Sequence, residues 1–160
     1  MAVDMFMKID DIKGESTDSK HAGEIQVLSW SWGMTQSGTT HTGPGGGSGK
    51  VNVNDLTFTK YLDTSTPNLI KFCCSGKHFG QALLTVRKAG NTPLEYIKIK
   101  LTDLIISSMS TGGTGSEDRV TETVGLNFAK FEVDYTPQKA DGSGGAAIPV
   151  TWNIPGNAEK

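Results

Sequence analysis

Alternation of apolar and polar residues at a period of two runs through most of the chain and constrains its fold more than any other feature. Such alternation is typical of strands that bury one face. Strands are predicted over residues 3–9, 24–34, 53–59, 82–86, 94–110 and 120–135, with a short final run over 150–154. Segment 94–110 reads either as one long strand or as two strands joined by a bend. The chain is therefore expected to be mainly β.

The apolar face of the predicted strand at 120–135 changes sides along its length. Leu126 and Phe128 have even numbers, whereas Phe131 and Val133 have odd numbers. A β-bulge would produce this change, and so would a strand long enough to leave one sheet and join another. Both explanations favour a closed or nearly closed barrel.

One short helix is predicted between Thr66 and Gly76. Thr66 is a suitable N-cap, Pro67 fits the first helical position, and Gly76 fits the residue after the end. The apolar positions between them follow the spacing i, i+3, i+4 of a one-sided helix. These positions are Leu69, Phe72 and Cys73. A helix this short is expected to depend on packing against the sheet.

Length and composition exclude several classes of protein. The 160 residues suit one domain, spanning 1–160, and a net charge of −2 argues against nucleic acid as the main partner.

The only cysteines are the neighbours Cys73 and Cys74, which are expected to stay reduced in a cytoplasmic chain. The first residues lack a basic start and an apolar stretch, so no cleavable signal peptide is expected, and no apolar run suits a membrane span.

Motifs for catalysis, metals and cofactors fail on inspection, so neither an enzyme nor a cofactor is predicted. The glycine-rich stretch at 43–49 lacks the Lys-Ser or Lys-Thr ending of a phosphate-binding loop, because Val51 follows Lys50. Cys73, Cys74 and His78 do not form the ligand pairs of a zinc site. The charged group at 117–122 resembles solvated or inter-subunit ion pairs more than the paired carboxylates of a hydrolase.

Two strands carry apolar residues on both faces. The first has Phe6 opposite its main apolar face, and the second has Ile25 and Val27 beside small polar residues opposite Trp30 and Trp32. A second buried surface would explain this pattern, as in an oligomer. A two-sheet sandwich whose helix covers that side would explain it equally well, and both explanations stay open at this point.

Separate blocks along nearly the whole chain resemble the haemolysin-coregulated protein (Hcp) family of type VI secretion systems. The matching blocks are residues 1–6, 27–34, 50–53, 58–61, 65–69, 75–78, 87–90, 110–113, 117–119, 133–138 and 152–154. Agreement across so many blocks is more specific than any single motif. The segment at 143–149 fits the family least well.

The resemblance implies a two-sheet β-barrel with one flanking helix, similar to phage tail-tube proteins. It further implies a homohexameric ring with a wide channel, and rings that stack into a tube inside a contractile sheath. A spike of the valine-glycine repeat (VgrG) family would sit on the tip, and small effectors would travel in the lumen. The protein would be made in the cytoplasm and reach the extracellular space without a signal peptide.

Three groups of residues are candidates for these contacts. If Leu28, Trp30 and Trp32 face the core, the outward residues of the second strand would line the lumen and contact effectors; these are Val27, Ser29 and Ser31. A glycine-rich loop is predicted to reach a neighbouring subunit or ring; it comprises Gly43, Pro44, Gly45, Gly46, Gly47, Ser48, Gly49 and Lys50. Charges that would set the register between rings are Glu117, Asp118 and Arg119.

Two other functions remain open on the sequence. The first is a stand-alone β-barrel that binds a small ligand, and the second is a hydrolase with a dispersed site. A monomer at high protein concentration would contradict the ring, whereas images of open-centred rings would contradict the stand-alone barrel.

Overall fold

The computed structural model describes residues 3–38, 47 and 49–160. This part of the chain forms short and long strands and one helix. The strands are β1 (Val3–Ile9), β2 (Ile25–Gln26), β3 (Ser29–Ser31), β4 (Met34–Thr35), β5 (Asn52–Val53), β6 (Leu56–Tyr61), β7 (Phe79–Lys88), β8 (Leu94–Gly112), β9 (Thr121–Tyr135) and β10 (Ile148–Asn153). The helix α1 (Thr66–Ser75) lies between β6 and β7. The predicted mainly β fold with one short helix is confirmed, and β8 is one continuous strand.

The main sheet curls until its two ends are joined by one segment of chain. Its order is β2-β1-β7-β8-β9-β6-β3 with β10 attached to β9, while β4 and β5 form a separate pair. The backbone N–H of Val27 donates to Met5 O at 2.9 Å, and that of Leu28 donates to Thr59 O at 2.8 Å. Segment 25–31 therefore pairs with β1 at one end and with β6 at the other, which makes the sheet a barrel-like shell.

This closure overturns the prediction of one regular strand over 24–34. Val27 is only 7% exposed and packs in the core, whereas Leu28 is 39% exposed. The alternation breaks between them because these consecutive residues bond to two different strands. Trp30 and Trp32 pack against the core as predicted, but Leu28 does not.

The long strands β8 and β9 change their buried face at the same level. In β9 the buried side chains pass from Leu126 and Phe128 to Phe131, as the sequence predicts. The register between the two strands is the same on both sides of the change, but the pair Asp103–Ala129 is missing, and Asp103 adopts a φ of 55°. The register shift lies further along, between Ile106 and Ser108. The change of face therefore reflects strands shared by two halves of the shell, since β9 pairs with β10 at one end and with β6 at the other.

Helix α1 ends as predicted and begins one residue earlier than predicted. Gly76 adopts a left-handed φ of 67°, and its N–H donates to Phe72 O at 3.0 Å. Ser65 is the N-cap, so Thr66 is the first helical residue and its hydroxyl turns inward to donate to Glu122 at 2.8 Å. Leu69 is fully buried, and Phe72 and Cys73 pack against the core, which confirms the predicted helix face.

A segment between β1 and β2, residues 10–24, covers the outer face of β1; we call it the strap. Phe6 on that face is 2% exposed, and its ring stacks on that of His21 with centroids 4.4 Å apart. The guanidinium of Arg87 lies 5.1 Å from the same ring centroid. The strap, and neither the helix nor another subunit, therefore explains the apolar residue on the second face of the first strand.

Charged contacts fasten the strap to the sheet. Arg87 donates to Asp18 at 3.1 Å and to Asp4 at 3.2 Å, and the bonds from Arg87 hold the pKa of Asp18 well below its usual range. His21 lies 2.7 Å from a carboxylate oxygen of Glu24 and 2.6 Å from one of Glu95. Desolvation raises the pKa of Glu95, but hydrogen bonds from His21 and the neighbouring lysine outweigh it and leave that pKa lowered.

Candidate functional surfaces

Hydroxyl side chains line the outer face of four adjacent strands, β3, β6, β9 and β8. We call this surface the hydroxyl wall. The pairing register places its residues in two rows that cross the strands. One row is Ser29, Thr59, Thr123 and Ser110, and the next is Ser31, Thr57, Gly125 and Ser108. These rows contain no ionisable side chain, so the wall is uncharged across its width.

The hydroxyls of the wall are partly paired with one another. Ser29 Oγ lies 2.6 Å from Thr59 Oγ1, and Ser31 Oγ lies 2.8 Å from Thr57 Oγ1. Such cross-strand pairs hold short side chains flat against the sheet. The wall is consequently a smooth polar surface that offers both donors and acceptors.

Gly125 of β9 lets the two strands pack closely at the register shift of β8 between Ile106 and Ser108, which is a β-bulge. A Cβ on Gly125 would collide with Ser108 Oγ and would lie 3.2 Å from Ser107 Oγ. The end of the wall at this bulge is fixed by Asp55, which accepts hydrogen bonds from Ser107 at 2.6 Å and from Asn127 at 2.7 Å. Glycine at this position therefore permits the extra residue in β8 without displacing β9.

The structure separates the three residues that the sequence predicts for the lumen. Ser29 and Ser31 lie exposed on the hydroxyl wall. The prediction that Val27 lies on the surface is wrong. Val27 belongs to the buried core, at the point where segment 25–31 changes its partner strand. The sequence pattern missed the wall residues on β8 and β9, although the alternating Thr121, Thr123 and Ser108, Ser110 carry the same signal.

The predicted inter-ring residues occupy exposed positions between strands. Glu117, Asp118 and Arg119 lie in the turn that connects β8 with β9, and the guanidinium of Arg119 lies 3.8 Å from the ring centroid of Tyr61. In the predicted loop, Gly47, Gly49 and Lys50 are exposed. The other residues of that loop lie outside the described part of the chain; they are Gly43, Pro44, Gly45, Gly46 and Ser48.

A second exposed surface, on β10 and the end of β9, is apolar, whereas the wall is polar. In register with each other, Ile148 faces Tyr135, Val150 faces Val133, and Trp152 faces Phe131. The row through Val150 and Val133 continues inward to the fully buried Ile99 and Leu84. The core-facing side of the sheet thus extends beyond the shell onto β10, where Ile148 is 60% exposed and Val150 is 52% exposed.

We call this surface the apolar flank; it comprises Ile148, Val150, Trp152, Val133 and Tyr135, together with Met34 and Val53 of the β4–β5 pair. A groove of about 430 Å³ separates β10 from β4 and β5. Patches of exposed apolar residues in soluble proteins typically mark contacts with other proteins. The sequence predicted a short final run over 150–154, and β10 spans Ile148–Asn153, but the exposure of this strand depends on where the shell closes.

Two tryptophan side chains that line the groove, Trp32 and Trp152, each carry a polar atom without a partner among the described residues. The indole N–H groups of Trp32 and Trp152 are buried and have no hydrogen-bond acceptor among the described residues. A buried N–H without an acceptor costs on the order of 1–3 kcal/mol. These N–H groups lie inside the subunit, so it is the exposed Ile148 and Val150 that make the flank resemble a contact surface.

Groups for metal or redox chemistry are not assembled in the part of the chain that the structure describes. Within these residues, histidine, cysteine and acidic side chains form no cluster of three that suits a metal ion. Cys73 is half-buried and Cys74 is exposed, and both are free thiols. Nor is any helix in the described residues long and apolar enough to cross a bilayer.

Comparison with known proteins gives consistent matches. Residues 6–135 match the family model described as type VI secretion system effector, Hcp. Protein hcp1 of Pseudomonas aeruginosa is 61% identical over 99% of each chain. A crystal structure of Hcp1 from Salmonella typhimurium is 43% identical over all of both chains with a TM-score of 0.83. A structure described as a type six secretion system protein is 31% identical, covers 99% of this chain and 100% of its own, and has a TM-score of 0.94.

Proposed function

The chain belongs to the Hcp family of type VI secretion proteins, and on that premise we propose that it is the subunit of a secreted tube. Six copies close into a homohexameric ring, rings stack into a tube, and the lumen carries small effectors. Its role is mechanical and not enzymatic. This assignment combines the family with two surfaces of opposite character on one shell.

The apolar flank is the observation that carries the proposal. A ring of identical subunits needs a heterologous contact, in which two different surfaces of each subunit meet and the rotation closes. The flank suits one side of that contact, because Ile148 and Val150 are exposed on the continuation of a core face.

The hydroxyl wall suits the lumen of the ring. A channel that holds a folded cargo and later releases it needs polar contact without strong attraction. Uncharged hydroxyls such as those of Ser31 and Thr123 supply hydrogen bonds and avoid the steep cost of desolvating charges. Facing the wall inward would place the strap and helix α1 away from the cargo.

The contacts along the tube axis are proposed for the remaining predicted residues. The loop at 43–50 would reach a neighbouring subunit or ring, and Glu117, Asp118 and Arg119 would set the register between rings. Partners of the assembled tube would be a contractile sheath and a VgrG-family spike. The subunit would be made in the cytoplasm and expelled by contraction, without a signal peptide.

A stand-alone ligand-binding barrel has less support. The interior of the shell is filled by large buried side chains such as Phe58, Leu84 and Leu101. A small-ligand barrel needs an enclosed cavity, whereas the apolar groove lies on the outside of the shell.

Replacement of Ser31 by glutamine tests the role of the hydroxyl wall. Ser31→Gln adds bulk in the middle of the wall, so we expect the ring to form and a small effector of the same secretion system to be lost from it. Sizing chromatography of the co-expressed pair measures both results. Ser31→Ala is the matched control, since it removes the hydroxyl without adding bulk and should retain the effector. Loss of the ring in Ser31→Gln would place Ser31 at a subunit contact and contradict the proposal.

A further inference from the structure

A buried pair of opposite charges lies directly behind the hydroxyl wall. Lys60 of β6 and Glu122 of β9 face each other in the register, and both side chains are 0% exposed. Lys60 Nζ lies 2.6 Å from Glu122 Oε2. On the outer face, the neighbouring pair is Thr59 with Thr123, which belongs to the wall.

The ammonium group of Lys60 is fully engaged. Besides Glu122, its Nζ lies 3.1 Å from Asp63 Oδ1 and donates to Thr66 Oγ1 at 3.2 Å. Thr66 in turn donates to Glu122 Oε2 at 2.8 Å. The pair therefore ties the start of helix α1 to two strands of the sheet at once.

Stability alone does not explain this pair. Moving two charges out of water is costly, and buried ion pairs are often no more stable than apolar residues of similar size. Here the second carboxylate oxygen of Glu122 is also buried and has no hydrogen-bond partner among the described residues. An apolar pair would avoid the desolvation of two charges and the unpartnered oxygen of Glu122. The charges are therefore better explained by the alternative strand pairings that they prevent.

What they exclude is a sliding of β6 along β9. A shift by two residues keeps every side chain on its original face. Sliding in one direction would set Phe58 against the apolar Leu126 and Thr59 against Gly125, and these pairs do little to oppose the shift. Sliding in the other direction would set Thr59 against Thr121 but Phe58 against the charged Glu122. In both directions Lys60 would face a valine, Val124 or Val120, and the carboxylate of Glu122 would be left buried without its counter-charge.

We infer that Lys60 and Glu122 form a register lock, which positions the hydroxyl wall by fixing β6 against β9. The lock acts within one chain and does not depend on ring formation. Its residues are positioning residues, since they support the wall from behind and contribute nothing to its surface.

Methionine replacements separate specificity from stability. Lys60→Met leaves the carboxylate of Glu122 buried without a counter-charge, and we expect the folding equilibrium constant to fall on the order of 10²-fold or more. Glu122→Met leaves Lys60 with Asp63 as its counter-charge and should cost less. The double replacement Lys60→Met with Glu122→Met removes both charges and should recover most of that loss. Urea unfolding of the isolated chain measures these changes.

A cross-strand disulfide reports the register itself. In a Cys73→Ala, Cys74→Ser background, Thr59→Cys with Thr123→Cys probes the native pairing, and Thr59→Cys with Thr121→Cys probes the shifted one. Directly opposed residues are close enough for a disulfide, whereas diagonal ones are too far apart. With the lock intact, only the native pair should oxidise; with both methionines present, the shifted pair should oxidise as well.

Exchange of the two charges in an Asp63→Asn background is the matched control, because Asp63 lies 3.1 Å from Lys60 Nζ and would repel a carboxylate at position 60. In that background, Lys60→Glu with Glu122→Lys restores an opposite pair, so it should oxidise in the native register alone. The inference is overturned if the methionine double variant shows only the native disulfide, or if the exchanged pair shifts as readily as the methionines. Failure of the methionine double variant to fold would also contradict it, because the pair would then supply stability and not specificity.

Discussion

The hydroxyl wall and the apolar flank share strand β9, yet they differ in what they need from a partner. On the wall, Ser29 and Ser31 find hydroxyl partners within the chain, so the surface is complete in water. On the flank, the apolar side chains of Ile148 and Val150 are more than half exposed. The difference shows that a sheet shared by two halves of a shell can present a finished surface at one end and an unfinished one at the other.

The largest effect is expected from a charge on the flank. Val150→Asp would bury a carboxylate against apolar residues in any assembly that covers the flank, so we expect loss of the ring and recovery of monomer. Sedimentation velocity measures the change in mass. Ser110→Asp on the wall is the matched control and should leave the ring intact; a ring with Val150→Asp would show that the flank is not a subunit contact.

The next effect tests how tightly the wall is packed. Gly125→Ala introduces a Cβ that collides with Ser108 Oγ, and we expect a loss of about 1–3 kcal/mol in the free energy of unfolding. Gly112→Ala, where a Cβ meets nothing within 4 Å, should change stability little. Urea unfolding of both variants decides the point, and equal stabilities would mean that Ser108 turns aside freely.

Acid dependence is expected to come from the strap and not from either surface, because the wall rows and the aliphatic part of the flank do not titrate. The hydrogen bond from Arg87 lowers the pKa of Asp18 in the folded chain. The ionised Asp18 therefore stabilises the fold at pH values above the ordinary aspartate pKa, and this stabilisation is lost as the pH falls through the lowered pKa. Asp18→Asn should therefore destabilise the chain at pH 7 and differ less from the parent near pH 3. Thermal unfolding across this range provides the measurement, and a difference that is constant with pH would contradict the role of Asp18.

The smallest effect is expected from single hydroxyls of the wall. Ser29→Ala removes the bond to Thr59 at an exposed site, so we expect a change below about 0.5 kcal/mol in the free energy of unfolding. Urea unfolding checks this value. A loss of several kcal/mol would show that the wall hydroxyls hold the shell together.

The sequence predicted what depends on local pattern. The mainly β fold, the change of face in β9 and the glycine end of α1 are confirmed, because alternation and helix-ending geometry are fixed by neighbouring residues. Ser29 and Ser31 were placed correctly on a polar face for the same reason. These residues represent only the part of the wall that β3 contributes.

What failed depends on contacts between distant parts of the chain. Val27 was placed outward because its parity suggested it, but a change of partner strand between Val27 and Leu28 reverses that assignment. The wall residues of β8 and β9 were missed since the row from Ser29 to Thr123 exists only through β6. The flank was missed because the sequence around Val150 does not reveal that β10 lies outside the closed part of the sheet, where its apolar face stays exposed.

The central claim is that assembly buries the flank and leaves the wall open to the lumen. Val150→Cys and Ser110→Cys, each in a Cys73→Ala, Cys74→Ser background, can be labelled with a small maleimide in the assembled particle and in the dissociated chain. The account predicts that assembly protects Val150→Cys from labelling, while Ser110→Cys reacts equally fast in both states. Rapid labelling of Val150→Cys in the assembled particle, or protection of Ser110→Cys there, would contradict it.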